Sequence, residues 1–146
     1  MRLTGNFTLQ ELVHPTIYNK IGDRSADFLH PKLAINCQSI KDFISAHLGY
    51  IEPVTINDWS WGGGFRSSGL RLPAGIVGAK LSSHRFGCSV DLKFKTITPV
   101  EVQSLIMANQ ADFPYISRME NAKITKTWLH VESTEKRSGD IIIYNP

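Results

Sequence analysis

Two short stretches hold the residues that decide the fold and its chemistry: SSHRFGCSVD, from Ser82 to Asp91, and WLHVE, from Trp128 to Glu132. In CSVDLKF, apolar side chains at alternate positions predict a strand with one buried face, and the second stretch alternates in the same way. Asp91 and His130 then both point away from the apolar layer. If the two strands are neighbours, these side chains meet.

His84, Asp91 and His130 are residue types that hold a catalytic zinc ion. Such an ion takes neutral imidazole and carboxylate ligands and keeps a fourth position open for water, which ionises near neutral pH. A single loop histidine is more often a solvated side chain. The combination, with a loop histidine seven residues before a strand acid, predicts a metal site.

Other residues are weaker candidates for metal or phosphate chemistry. Cys88 lies four residues after His84, but its place in the apolar alternation favours burial. The glycines at 62–64 lack the spacing of a phosphate-binding loop. Three further histidines have no acid at a telling spacing and are expected to be structural: His14, His30 and His47.

Composition and charge exclude several classes of protein. The chain has 146 residues, 42% hydrophobic and 20% charged, which predicts one soluble domain over 1–146. The net charge of +3 is scattered, so we expect mild attraction to polyanions without a dedicated nucleic-acid surface.

Two cysteines are too few for a disulfide framework, and both are expected to be buried thiols. No apolar leader follows Met1, and no apolar stretch is long enough to span a membrane. We therefore expect a soluble product that is cytoplasmic as synthesised. We also expect the protein to be monomeric.

The remaining pattern predicts an α+β fold: a small antiparallel sheet with helices packed on one side. Helix starts are indicated by capping residues or proline, and strands by alternation. The predicted elements are a helix from Thr8 that stops before Pro15, a loop containing Gly22, a core helix from Pro31 to Gly49, a strand from Val54 to Asp58, a helix starting at Thr98, and a strand from Asp140 to Tyr144.

The order of these motifs resembles the zinc D-Ala-D-Ala carboxypeptidases and L-alanyl-D-glutamate peptidases, whose fold is shared with hedgehog signalling domains. The SGxR segment of that family is similar to Ser68-Gly69-Leu70-Arg71. Its SxHxxGxAxD motif is similar to Ser82, His84, Gly87 and Asp91, and its WxH motif to Trp128 and His130. The opening NFTLQEL is similar to the start of the small phage and prophage members.

The resemblance implies a hedgehog/DD-peptidase fold and a zinc metallopeptidase that hydrolyses the stem peptides of bacterial peptidoglycan. The activity would be that of a D,D-carboxypeptidase or an L-Ala-D-Glu endopeptidase. The protein would be a phage or prophage endolysin released by a holin, or a virion-associated lysin.

The same resemblance implies roles for individual residues. His84, Asp91 and His130 would bind Zn²⁺, and Arg71 would face the substrate carboxylate or the developing oxyanion. Ser82 either orients the site or serves only in a turn. Trp128 either lines a substrate groove or covers a core edge.

One departure from the family pattern bears on catalysis. Many members carry Glu or Asp three positions before the last histidine as general base, and here that position is Thr127. Glu132 is the first replacement candidate, because on a strand it shares a face with His130, and Glu120 is the second. Without a base the rate would fall by roughly 10²–10⁴. The alternative function is therefore a non-catalytic, metal-containing binding or structural module of the same fold.

Overall fold

A mixed five-stranded sheet carries the candidate site in the structure, a computed structural model that describes residues 1–72, 81–134 and 139–146. Its spatial order is β1-β2-β4-β3-β5, and all neighbours are antiparallel except β3 and β5, which are parallel. The strands are β1 (Val54–Thr55), β2 (Ser89–Phe94), β3 (Arg118–Glu120), β4 (Leu129–Glu132) and β5 (Ile142–Tyr144).

The α+β class is confirmed, but the prediction of a wholly antiparallel sheet is wrong at β5. β4 runs antiparallel to β3, and the chain reverses once more before it reaches the far edge of β3. Two reversals leave β5 parallel to β3. The two predicted end strands are also shorter than expected, since only Val54–Thr55 and Ile142–Tyr144 form ladder pairs.

Four α-helices lie within the described ranges: α1 (Leu9–Leu12), α2 (Pro15–Ile21), α3 (Leu33–Leu48) and α4 (Pro99–Ala108). The helix starts at Thr8 and Thr98 are confirmed, because Glu11 and Glu101 each accept a hydrogen bond from the backbone N–H of the preceding threonine. None of these helices combines the length and the apolar character needed to cross a membrane.

The sequence did not predict α2. Pro15 ends α1, but it is also well suited to the first position of a new helix, and the His14 ring accepts a hydrogen bond from the Thr16 N–H at 3.2 Å. The predicted loop around Gly22 is a 3₁₀ segment, Gly22–Phe28. The core helix α3 begins at Leu33, two residues after Pro31, and ends as predicted at Gly49, whose φ of 76° is left-handed.

The main hydrophobic core lies between one face of the sheet and the two longer helices. Val90, Leu92, Leu129 and Val131 point into it and are fully buried. They pack with four residues of α3 and two of α4: Leu33, Cys37, Ile40, Ile44, Val102 and Ile106. Burial of this face fixes the register of β2 and β4, because a slip of one residue would exchange the two faces.

The opposite face of β2 and β4 is buried as well, under segments that precede β2. Ser68 accepts a hydrogen bond from the Asp91 N–H at 2.7 Å, which lays residues 68–71 along the sheet. Gly69 allows this path, since a Cβ there would lie 2.1 Å from the Leu12 carbonyl oxygen. The polar side chains of this face are therefore enclosed by protein.

Candidate metal centre and its pocket

The β2–β4 pairing brings two of the candidate ligands together. Asp91 lies directly opposite His130 in the antiparallel register, on the face away from the core. The prediction that the two strands are neighbours is confirmed. This pairing follows from the alternation in both stretches, because each apolar set can face the core in only one register.

His84 reaches the same point from a 3₁₀ turn, Ser83–Phe86, that precedes β2. Gly87 ends the turn with a φ of 65°, and a Cβ there would lie 1.9 Å from the Phe28 carbonyl oxygen. Only glycine fits this close, left-handed turn. The chain thus reverses between the first ligand and the strand that carries the second.

The three side chains converge to the spacing of ligands around one ion. His84 Nε2 lies 3.1 Å from Asp91 Oδ1, His130 Nδ1 lies 2.9 Å from the same oxygen, and the two nitrogens are 3.2 Å apart. Ligands about 2.0–2.1 Å from a tetrahedral ion lie about 3.3 Å from each other. Within the described part of the chain, these residues form the one group of three or more His, Cys, Asp or Glu able to hold a metal ion.

Each imidazole is held with a ring nitrogen facing this point. The other nitrogen of His84, Nδ1, lies 2.9 Å from the Gly69 carbonyl oxygen, to which it donates. The other nitrogen of His130, Nε2, lies 3.4 Å from Glu132 Oε1. A ring nitrogen that donates outward leaves the second nitrogen as a lone-pair ligand. The donor set therefore fits a metal ion through His84 Nε2, His130 Nδ1 and Asp91 Oδ1.

Burial and charge make this cluster a site for a cation. His84 is 2% exposed, and burial lowers its pKa, so it is neutral near pH 7. Burial also opposes the charge on His130, but hydrogen bonds to Asp91 and Glu132 outweigh burial and raise its pKa to about 9. Burial would raise the pKa of Asp91, yet hydrogen bonds from both histidines hold it well below its usual range. A positive charge belongs between these atoms, either a proton or a metal ion.

The Ser68–Arg71 segment positions two of the three ligands. Its Gly69 carbonyl orients the His84 ring, and the Arg71 N–H donates to the His84 carbonyl at 3.1 Å. The Arg71 guanidinium donates to Asp91 Oδ2 at 2.9 Å, opposite the oxygen that faces the histidines. Arg71 also lines the open pocket that leads to the three ligands.

Glu132, the first candidate for the base, is fully engaged by its neighbours. It shares the His130 face as predicted, and Tyr144 Oη donates to its Oε1 at 2.6 Å. Ser83 Oγ donates to the same oxygen at 3.2 Å. Burial would raise the pKa of Glu132, but hydrogen bonds from His130 and Tyr144 lower it to about 2. This carboxylate is placed to orient His130.

Glu120, the second candidate, has a different environment. It ends β3 and lines the pocket, and its carboxylate makes no hydrogen bond with the described residues. Burial raises its pKa above the ordinary glutamate value; the charge on His130 opposes this shift, and the negative charges of Asp91 and Glu132 support it. A free carboxylate with a raised pKa is suited to accept a proton.

An open pocket with a volume of about 680 Å³ gives access to the cluster. Its described lining comprises the three ligands, other charged and polar residues, and an apolar rim. The charged and polar residues besides the ligands are Arg71, Arg118, Glu120, Glu132, Tyr144, Ser82, Ser83 and Thr125, and the rim consists of Leu81, Ile124, Trp128 and Pro146. Ser82 lies in the lining, but its hydroxyl makes no hydrogen bond with the described residues, and it precedes the 3₁₀ turn. Trp128 is partly exposed at the rim.

Sequence reasoning missed three residues of this site. Ser83 makes the orienting hydrogen bonds considered for Ser82, and nothing in the motif distinguishes the two serines. Tyr144 and Arg118 enter through the β3–β5 and β3–β4 pairings. Since β3 and β5 have only three residues each, their sequences carry no alternation signal that could have placed these side chains.

The remaining candidates lie outside the cluster. Cys37 is buried as predicted, but Cys88 is only half-buried, because it precedes β2 and its thiol donates to the Phe86 carbonyl at 3.3 Å. The His30 ring accepts from the Lys32 N–H at 3.2 Å, and His47 is exposed near the end of α3.

Comparison with known proteins gives no match: no protein-family profile, curated protein or solved structure matches the chain.

Proposed function

We propose that the protein is a zinc-dependent peptidase that hydrolyses the stem peptides of bacterial peptidoglycan, with a hedgehog/DD-peptidase-type fold. The observation that carries the proposal is the convergence of His84 Nε2, Asp91 Oδ1 and His130 Nδ1 within 3.2 Å of each other at the base of an open pocket. Two nitrogens and one carboxylate oxygen form a donor set that suits zinc.

A zinc ion held there would supply Lewis acidity and lower the pKa of a water molecule in the open fourth position. The chain itself supplies the groups for proton transfer and substrate orientation. Glu120 accepts a proton from the attacking water and returns it to the leaving amine, because it is the pocket carboxylate without a hydrogen-bond partner among the described residues.

Other pocket residues hold the reacting groups in place. Glu132 keeps the Nε2–H of His130 pointing away from the pocket floor, so that Nδ1 remains a ligand. Arg71 fixes Asp91 and lies in the lining, where its positive charge stabilises negative charge that develops on the scissile carbonyl oxygen. Trp128 and Ser82 contact the peptide at the rim.

The setting of the enzyme is proposed from the motif order alone. It is that of a phage or prophage lysin, acting either after holin-type release or from a virion, with peptidoglycan as its partner. The choice between a D,D-carboxypeptidase and an L-Ala-D-Glu endopeptidase turns on which bond reaches the cluster.

The test is digestion of purified peptidoglycan, with the released peptide ends identified by mass spectrometry. We expect new amino and carboxyl ends in the stem peptide, loss of activity on chelation and its return with zinc. His84→Ala should be inactive, while His47→Ala, which removes an exposed histidine outside the pocket, should retain activity. Zinc binding without any cleavage would instead establish the non-catalytic module.

A further inference from the structure

The pocket contains two arginines whose guanidinium groups differ in availability. Arg71 is 16% exposed, and two of its five N–H donors are bound, one to the Ser67 carbonyl and one to Asp91 Oδ2. These bonds turn it toward the protein. It is built into the metal cluster, and its charge is already paired with that of Asp91.

Arg118 is held against an aromatic ring and is more exposed than Arg71. Its guanidinium lies over the Tyr144 ring at 4.1 Å, and its side chain is 43% exposed. The nearest carboxylate oxygen, Oε2 of Glu132, is 3.7 Å from Nη1, which is too long for a hydrogen bond. No hydrogen bond joins the Arg118 side chain to the described residues. The cation–π contact with Tyr144 restrains a planar fork of donors at the lining of the pocket.

The position of Arg118 relates it to the reacting centre. It lies opposite Glu132 in the β3–β4 register, and Glu132 contacts the ring of His130. Glu120 follows two residues later on β3, so both side chains project from the same face of the strand. A group bound by Arg118 would thus lie beside the proposed base.

The charges in the pocket favour an anionic ligand once a metal is bound. Among the described residues, two arginine and three carboxylate side chains line it, which leaves one negative side-chain charge when both histidines are neutral. A divalent cation changes this balance to one positive charge. The rim residues Leu81, Ile124 and Trp128 carry no charge, so Arg118 is the more exposed of the two cationic side chains that the described lining offers to a ligand's anionic group.

We infer that Arg118 binds a free carboxylate that flanks the scissile bond, so that the enzyme selects stem peptides with that carboxylate unmodified. The inference rests on the proposed peptidase function. A guanidinium grips a carboxylate through two parallel hydrogen bonds, a geometry that an amide cannot reproduce because it has one acceptor oxygen and no charge. In a stem peptide this carboxylate is either the C-terminal one or the α-carboxylate of D-glutamate.

The experiment uses synthetic L-Ala-γ-D-Glu-L-Lys-D-Ala-D-Ala, which has only these two carboxylates, together with the two peptides that carry an amide at one or the other. Cleavage by the zinc-loaded wild type gives kcat and KM for each peptide. Binding is measured by titration calorimetry in a Glu120→Gln background, where cleavage is slowed. Arg118→Gln and Arg118→Lys are compared with Arg24→Gln, which removes an exposed arginine outside the pocket.

We expect one of the two amides to weaken binding and raise KM by about 10- to 100-fold in the wild type, the range for loss of a charge-assisted contact. Arg118→Gln should bind the unmodified peptide equally weakly and ignore the amide, with kcat changed much less than KM. Arg118→Lys should recover part of the discrimination, and Arg24→Gln should behave as wild type. The position of the sensitive amide identifies which carboxylate is bound.

Tyr144→Phe separates anion binding from the support of His130. It keeps the ring under Arg118 but removes the hydrogen bond to Glu132, so the amide discrimination should persist. The inference is overturned if wild type treats both amides like the parent peptide, if Arg118→Gln keeps the discrimination, or if no peptide binds. Discrimination in binding without cleavage would uphold the carboxylate site and defeat the peptidase proposal.

Discussion

Both faces of the β2–β4 pair are buried, but different forces hold them. On one face Val90, Leu92, Leu129 and Val131 pack against α3 and α4, and any apolar side chain of suitable volume contributes there. On the other face Asp91 and His130 lose their hydration, which must be offset by specific partners. The apolar face therefore provides stability, and the polar face provides a cation site at some cost in stability.

The largest effect expected on the polar face, short of losing a ligand, is that of Glu120→Gln. Gln cannot accept the proton, so kcat should fall by roughly 10²–10⁴ while zinc binding and KM change little. Steady-state kinetics and metal analysis of the same preparation measure both. Asp112→Asn, which neutralises an exposed carboxylate outside the pocket, is the matched control. If Glu132→Gln lowers kcat more than Glu120→Gln at equal zinc content, the base is Glu132.

On the apolar face, Ile44→Ala should lower the free energy of unfolding by about 2–5 kcal/mol, since it leaves a cavity in a fully buried position of α3. Denaturant unfolding measures this, with Ile51→Ala as an exposed control expected to lie within about 0.5 kcal/mol of wild type. Zinc stoichiometry in the folded protein should not change. Loss of zinc from folded Ile44→Ala would show that the two faces are not independent.

A smaller effect is expected from Tyr144→Phe. The substitution removes the 2.6 Å hydrogen bond to Glu132, which in turn orients His130. Removing such an outer partner weakens metal binding by about 10- to 100-fold, and the lower end is expected because Ser83 still contacts the same carboxylate. Competition with a chelator measures the zinc dissociation constant. An unchanged constant would remove Tyr144 from the support of the site.

The smallest effect concerns the stability of the metal-free protein. Burial raises the pKa of Glu120 in the folded state, so its ionisation opposes folding above that pKa, and this cost disappears below the unfolded pKa, near 4.3. Glu120→Gln should therefore raise the free energy of unfolding of the metal-free protein at pH 7 and not at about pH 4. Unfolding curves at both pH values test the sign. An equal gain in the free energy of unfolding at both pH values would exclude the ionisation of Glu120 as its cause.

The parts of the site that the sequence predicted depend on alternation. Asp91, His130 and Glu132 lie in strands long enough to show a polar and an apolar face, and their meeting follows from burying the apolar one. Strands of three residues show no period, and they carry Arg118 and Tyr144, which were not predicted, and Glu120, which was predicted only as the second candidate for the base. Their positions depend on the β3–β4 and β3–β5 pairings, long-range choices that no local pattern specifies. The helix α2 was missed for another reason, since Pro15 is both the end of one helix and the start of the next.

The central claim is that His84, Asp91 and His130 hold one zinc ion. Metal stoichiometry tests this claim most directly. Purified protein is saturated with zinc, freed of excess metal and analysed by inductively coupled plasma mass spectrometry beside His84→Ala and His47→Ala. We predict one zinc per chain in the wild type and in His47→Ala, and none in folded His84→Ala. A wild-type chain that keeps no zinc, or a His84→Ala chain that keeps one, would contradict the account.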